Sequence, residues 1–366
     1  MIAARALLVT LAFPAASFAG EFDLAAGPCQ TVDVEQRQEL QPVEFLERSS
    51  IFNSLPNTGP VEPAALLFEA NVATHLYFYN ALTNLERQCF RGEGWLWTAA
   101  FTMQVRLRMV ADNSLPVRPA SLMPRLDGQL FRVTGSGRKQ WPFGRSAFDL
   151  LELRASLGHH SNGQQYCEFA AGVPDDVPGA PCPAIDPVNP PLDQLNYRAG
   201  DFSTNHVIGG AHFARIFVDG NYMEMARGTL GALYEGNPLD FGPGGLDASQ
   251  FPLYGAHRLL VTAGASFHPW RFSGARANPW TGIFRLNATC EAMFGGVATS
   301  IPYDRETVEL SYVFDGLGGI GFVARYIHGQ DYMNVLFVGP PLSVVQVGLV
   351  WDPSPRMKYG FMWNAR

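Results

Sequence analysis

From residue 95 the chain reads "WLWTAAFTMQVRLRM", and its two faces separate by parity. Every odd position from Trp95 to Met109 is apolar, whereas the even positions from Thr98 onward carry two threonines, Gln104, Arg106 and Arg108 around a single alanine. A period of two sustained over this length predicts a strand with one greasy and one polar face. It is also longer than the strand of about 5–6 residues usual in soluble proteins. The same alternation returns in Val308, Leu310, Tyr312 and Phe314 against Glu309 and Ser311, and again in Val345, Val347, Leu349 and Trp351. Tyr359, Phe361 and Trp363 form a further stripe. Turn signals lie between such segments, at Asp219-Gly220, Asp315-Gly316 and the Gly-Pro-Pro of 339–341.

Two arginines on the polar face suit a hydrated barrel interior better than the core of a soluble β-sandwich, the rival arrangement. Aromatic residues near several strand ends fit the girdles of a membrane barrel. The expected fold is therefore all-β: an antiparallel transmembrane β-barrel of the bacterial outer membrane with roughly a dozen strands. Residues 20–65 alternate poorly and contain "NTGPVEP", which marks them as an N-terminal extension, with the barrel spanning 66–366.

Composition adds to this picture. The opening "MIAARALLVTLAFPAASFAG" supplies Arg5, an apolar stretch from Ala6 to Ala16, and small residues at Ser17 and Ala19. Residues 1–19 are expected to be a signal peptide cleaved after Ala19, so the protein is exported. A net charge of -7 argues against a nucleic-acid partner, which requires a basic face. Beyond the leader no apolar run is long enough for a transmembrane helix, and the near-zero mean hydropathy is what an alternating barrel gives. The five cysteines match no zinc spacing. Cys167 and Cys182 enclose a short Pro-rich segment and are expected to form a disulfide, which leaves at least one thiol unpaired or bonded to another chain. Outer-membrane barrels commonly end on an aromatic residue, whereas here Trp363 stands three residues short of the end.

The candidate chemistry lies on a strand predicted in "DLLELRASLGHHSNG", residues 149–163. Leu151, Leu153, Ala155 and Leu157 share a face with His159 and Ser161, while His160 points the opposite way. Residues two apart on one face are roughly 6.6 Å apart, so a histidine can bend toward a serine hydroxyl. Further on, Asn205, Val207, Ala211 and Phe213 share one parity, with His206 and His212 on the other. Arg215 breaks the apolar face, which calls for a bulge or an interfacial position.

"HHSNG" resembles the His-x-Ser-Asn-Gly motif of the outer-membrane phospholipase A family. "SLPVRPASLMP" (114–124) resembles that family's Ser-x-Pro-Phe-Arg segment and its second proline: Pro116 and Pro124 keep the spacing and Val117 replaces the aromatic. "DFSTNHV" (201–207) is similar to the family's Ser-x-Ser-x-Asn stretch, with Asp201 standing at the first serine, Ser203 at the second and Asn205 at the asparagine. The three matches occur in the family's order. The loop between Ser161 and Asn205 is longer than the family's, and Gln164 replaces an arginine.

The resemblance implies hydrolysis of acyl esters of glycerophospholipids, the A1/A2 reaction. Ser161 would be the nucleophile, His159 the general base and Asn205 the residue that orients the imidazole. The backbone N–H of Gly163 would stabilise the oxyanion. It also implies Ca2+ as cofactor, with Asp201, the Gln164 carbonyl and Ser114 from a second copy as ligands, and hence a homodimer acting on membrane phospholipid. Asp201 reads equally well as a solvated loop aspartate. The rival functions are a lipid A deacylase, whose third catalytic member is a glutamate, and a porin-like or structural barrel without catalysis.

Overall fold

The computed structural model describes residues 46–55, 66–80, 94–111, 117–136, 146–169, 182, 186, 189–196, 199–218, 224–237, 244–247, 249–269, 280–298, 301, 303–314, 317, 319–331 and 342–352. Twelve strands run β1 (Ser49–Ser54), β2 (Leu66–Asn80), β3 (Gly94–Val110), β4 (Val117–Ser136), β5 (Ser146–Ser161), β6 (Ser203–Val218), β7 (Glu224–Gly236), β8 (His257–Phe267), β9 (Gly282–Phe294), β10 (Asp304–Phe314), β11 (Ile320–Gly329) and β12 (Leu342–Trp351). Each pairs antiparallel with its sequence neighbours, and β1 pairs with β12 to close the barrel. Closure leaves no unpaired strand edge, which a chain crossing lipid requires.

The parity of β3 is realised as read. Thr98, Thr102, Gln104 and Arg108 are buried in the interior, whereas Trp95, Trp97 and Leu107 are exposed on the outer wall. Leu126, Leu157, Leu230, Leu310 and Phe322 continue that apolar exterior around the barrel. Ser49 lies opposite Trp351, so both ends of the barrel sequence share one rim. Phe267, Phe284, Tyr312, Phe314 and Phe322 form a chain of ring contacts on the outside of that rim. Tyr234, His257 and Phe294 form a smaller group near the other.

Inside, several charges are paired with one another. Arg108, 1% exposed, lies between Glu69 and Asp331, and Glu69 also holds Arg325 at 2.6 Å. Asp127 accepts from Arg125, Arg154, Ser156 and Thr102. Phe52, Ile283, Val313, Val323 and Val350 pack into a buried cluster toward the rim of the chain ends, and Ile327, Leu342 and Val344 into another toward the opposite rim.

Two expectations change. The barrel begins before residue 66: β1, inside the stretch assigned to an extension, pairs with Val350–Gln346 on one side and with β2 on the other. Six residues are too few to establish a period, so the strand left no signature in the sequence. Just before it, Glu47 reaches Arg125 and Arg154, so this segment enters the lumen rather than leaving the barrel. Arg215 needs no bulge. It faces Asp149 in register and forms a two-point ion pair at 2.7 and 2.8 Å on the outer wall. The leader, Ser114, Pro116, Cys29, Cys89, the Tyr359–Trp363 stripe and the three turn signals lie outside the described residues.

At the rim away from the chain ends, connecting segments build a small core of their own. Phe169, Leu195 and Phe202 from the β5–β6 connection meet Leu246, Leu253 and Tyr254 from β7–β8, with Ala298 and Ile301 from β9–β10. The short helix α1 (Phe251–Tyr254) lies within it. The Cys167–Cys182 disulfide ties the β5–β6 connection. Cys290, by contrast, is a free thiol on β9.

Candidate active site

β5 and β6 end beneath this cap, and their register brings the three motif residues together. His159 stands opposite Asn205, and Ser161 opposite Ser203. The shared parity puts His159, Ser161 and Asn205 on the outer wall, continuous with Leu157 and Val207. His159 Nδ1 lies 2.7 Å from Asn205 Oδ1. An amide oxygen only accepts, so Nδ1 is the donor and, in the neutral ring, Nε2 is the unprotonated nitrogen. The Ser161 hydroxyl makes no hydrogen bond among the described residues.

Asn162, absent from the sequence expectations, fixes the turn that follows. Its side-chain oxygen accepts from the backbone N–H groups of Phe202 and Gln164, and its amide donates to the Gly200 carbonyl at 2.8 Å. Gly163 adopts φ 66°, a region that favours glycine, with open space where a side chain would project. Its N–H donates to nothing among the described residues, so a donor stands free two residues from Ser161.

His160 points inward, as its parity requires. Its Nδ1 is 3.3 Å from the Tyr254 hydroxyl, and its ring packs edge-on against Phe202. Gly158 has its own reason: a methyl there would lie 2.5 Å from His206 Nε2.

Of the three expected metal ligands, Ser114 lies outside the described residues. The Gln164 N–H is taken by Asn162, and its carbonyl has no partner among the described residues. Asp201 accepts from Gln250 at 3.0 Å and is held in place by its own N–H to the Tyr166 carbonyl. Burial, with Glu168 and Asp247 nearby, pushes the Asp201 carboxyl up to about 6, against the pull of the Gln250 hydrogen bond. Among the described residues no group of three or more His, Cys, Asp or Glu is arranged to hold a metal ion.

The β7–β8 connection supplies a contact that the sequence did not suggest. The Gly244 carbonyl accepts the Ser203 hydroxyl at 2.7 Å, beside the imidazole of His159. The only signal was a glycine-rich run, "FGPGG", which reads as an ordinary loop.

No protein-family model and no curated protein sequence matches this chain. Among solved structures, outer membrane phospholipase A from Escherichia coli is similar with a TM-score of 0.39 and 10% identity, covering 84% of this chain and 90% of that one. The calcium-bound dimer of the Salmonella typhi outer membrane phospholipase gives 0.38 and 12%, covering 86% and 95%. The β domain of the Bordetella autotransporter BrkA gives 0.34 and 12%, covering 83% and 96%. Scores this low assign the chain to none of these families.

Proposed function

We propose that the chain is an outer-membrane phospholipase A, hydrolysing acyl esters of glycerophospholipids with Ser161, His159 and Asn205. One observation carries the reading: the 2.7 Å contact of His159 Nδ1 with Asn205 Oδ1 on the apolar outer wall, with Ser161 on the same face. A histidine facing lipid gains little from burial alone, whereas a histidine held in one tautomer beside a serine is equipped to take its proton. The neutral amide suits the position, since an unpaired carboxylate against hydrocarbon would carry a large desolvation cost. An amide at the third position also separates the site from a deacylase that uses glutamate.

In this reading Ser161 Oγ attacks the ester carbonyl and its proton passes to His159 Nε2. The oxyanion faces the free N–H of Gly163. Collapse expels the lysolipid alkoxide, which takes the proton from His159. Water, deprotonated by the same nitrogen, then cleaves the acyl-serine; fatty acid leaves and His159 returns the proton to Ser161 Oγ. The substrate needs no path into the barrel, because the reacting groups lie at the edge of the wall that contacts the bilayer.

The resemblance adds calcium, and the donors suit it. The Asp201 carboxylate and the Gln164 carbonyl are hard oxygens. Gln250 Oε1, buried beside Asp201, has no hydrogen-bond partner among the described residues and is a further one. Asp201 and Gln164, with Ser114 of a second copy in a homodimer, would hold the ion, which when bound supplies positive charge near the oxyanion. A channel reading is disfavoured by the interior, where Arg108, Glu69 and Asp331 are paired and buried.

The test is hydrolysis of phospholipid in detergent micelles with calcium or excess chelator, together with labelling by a fluorophosphonate. Fatty-acid release that falls on chelation, and labelling lost in Ser161→Ala, are expected. Absence of both release and labelling in the folded barrel would remove the enzymatic reading.

A further inference from the structure

Gly244 approaches the catalytic face more closely than any side chain could. A methyl on its Cα would sit 2.9 Å from His159 Cε1 and 2.8 Å from Ser203 Oγ. Its φ of 77° independently favours glycine. The segment is also anchored. Leu246 is fully buried in the cap core with Phe202 and Tyr254, and the Gln250 amide is bonded to both Asp201 and Glu168. A held backbone therefore stands against the imidazole edge.

We infer that Gly244 is a positioning residue: the β7–β8 connection clamps the His159 ring in its working orientation and, through Ser203, steadies the neighbour of Ser161. The inference rests on the catalytic reading above. A histidine ring turns about its last side-chain bond between two broad orientations that exchange Nδ1 with Cδ2 and Cε1 with Nε2. Asn205 rewards one of them by a hydrogen bond. Gly244 stands on the Cε1 edge, so close that a methyl on its Cα would already crowd the ring. Nδ1 and Cε1 thus each have a neighbour, and Nε2 has no hydrogen-bond partner among the described residues. Only hydrogen on the Cα permits this proximity.

The experiment uses the full barrel in detergent micelles, with insertion checked by heat-modifiable gel migration. Nitrogen-15 spectra of labelled histidine, with the His159 signals assigned through His159→Gln, report which ring nitrogen carries the proton. The native protein should show His159 protonated at Nδ1 alone. Gly244→Ala should give averaged or exchanged ring signals. Its kcat should fall about 100-fold with KM within about 3-fold, because the catalytic group is displaced and not the lipid contact. Ser203→Ala removes the hydrogen bond without adding an atom; it should shift both readouts in the same direction by less, and it serves if Gly244→Ala does not insert. Unchanged ring signals and kcat in the inserted variant would overturn the clamp. Ring signals that move in a barrel without hydrolytic activity would uphold the clamp and remove the phospholipase reading instead.

Discussion

If the proposed reaction holds, replacing Ser161 or His159 by alanine should lower phospholipid hydrolysis by at least about 1,000-fold, since one change would remove the attacking oxygen and the other its base. Asn205→Ala should be milder and leave roughly 1–10% of the rate, because nucleophile and base remain and only the tautomer is freed. His160→Ala separates register from chemistry. Its ring lies inside, against Phe202 and Tyr254, so its loss should loosen the cap while kcat changes far less than with His159→Ala. Equal damage from the two alanines would contradict the strand register. Asp201 offers a pH test. Its carboxyl titrates at about 6 in the folded protein, above the ordinary aspartate value. The folded state therefore binds more protons than the unfolded one between roughly pH 4 and 6, and stability falls as pH rises through that window. In chelator, the cap should resist proteolysis better at pH 5 than at pH 7. Asp201→Asn should flatten the difference, and a cap more stable at pH 7 would reverse the assigned sign.

At the scale of elements, the Cys167–Cys182 bridge closes a segment with a sequence separation of 15 in the connection that leads from Ser161 to Asn205. Bridges over loops of this size contribute about 3 kcal/mol. Reduction should thus make the 162–202 segment cleavable by protease while the strands stay protected. Peptide mapping without reductant should recover the two cysteines as one linked species. What the sequence revealed follows from the same elements. β3, β5 and β6 were legible because each combines an apolar lipid face with polar residues inside, and a period of two survives for as long as the strand does. His159, Ser161 and Asn205 were legible because the same parity carries them. β1 escaped notice because its six residues hold one buried apolar side chain, Phe52, and no repeating pattern. The cap escaped because Phe202, Leu253 and Ile301 come from separate connections, whose apolar residues follow no period until three of them fold together. Arg215 looked like an error of pattern, since its explanation, Asp149, lies on another strand.

For the whole molecule, buried ion pairs cross-link the strands from inside the lumen. Glu69 contacts both Arg108 and Arg325, so Glu69→Ala leaves one buried and one part-buried guanidinium group short of a partner. Removal of one member of such a buried set costs about 3–5 kcal/mol, and the unfolding midpoint in denaturant should fall accordingly. The same packing predicts that the purified barrel reconstituted in a planar bilayer passes no steady ionic current. Stepwise conductance would favour the porin-like alternative.

The wall is nevertheless uneven. β1 is the shortest strand, at six residues, yet it closes the circle against β12, while β3 and β4 face each other over most of their length. Across that join Arg48 reaches Asp352 at 3.5 Å and Glu309 at 2.8 Å, fastening the two ends of the barrel sequence from within. Mechanically the cylinder is a sheet rolled up and held by a short zip with one clasp. Pulled from its C-terminal end in a single-molecule experiment, it should part first between β12 and β1. The β4–β6 quarter that carries Ser161 should be among the last to come away.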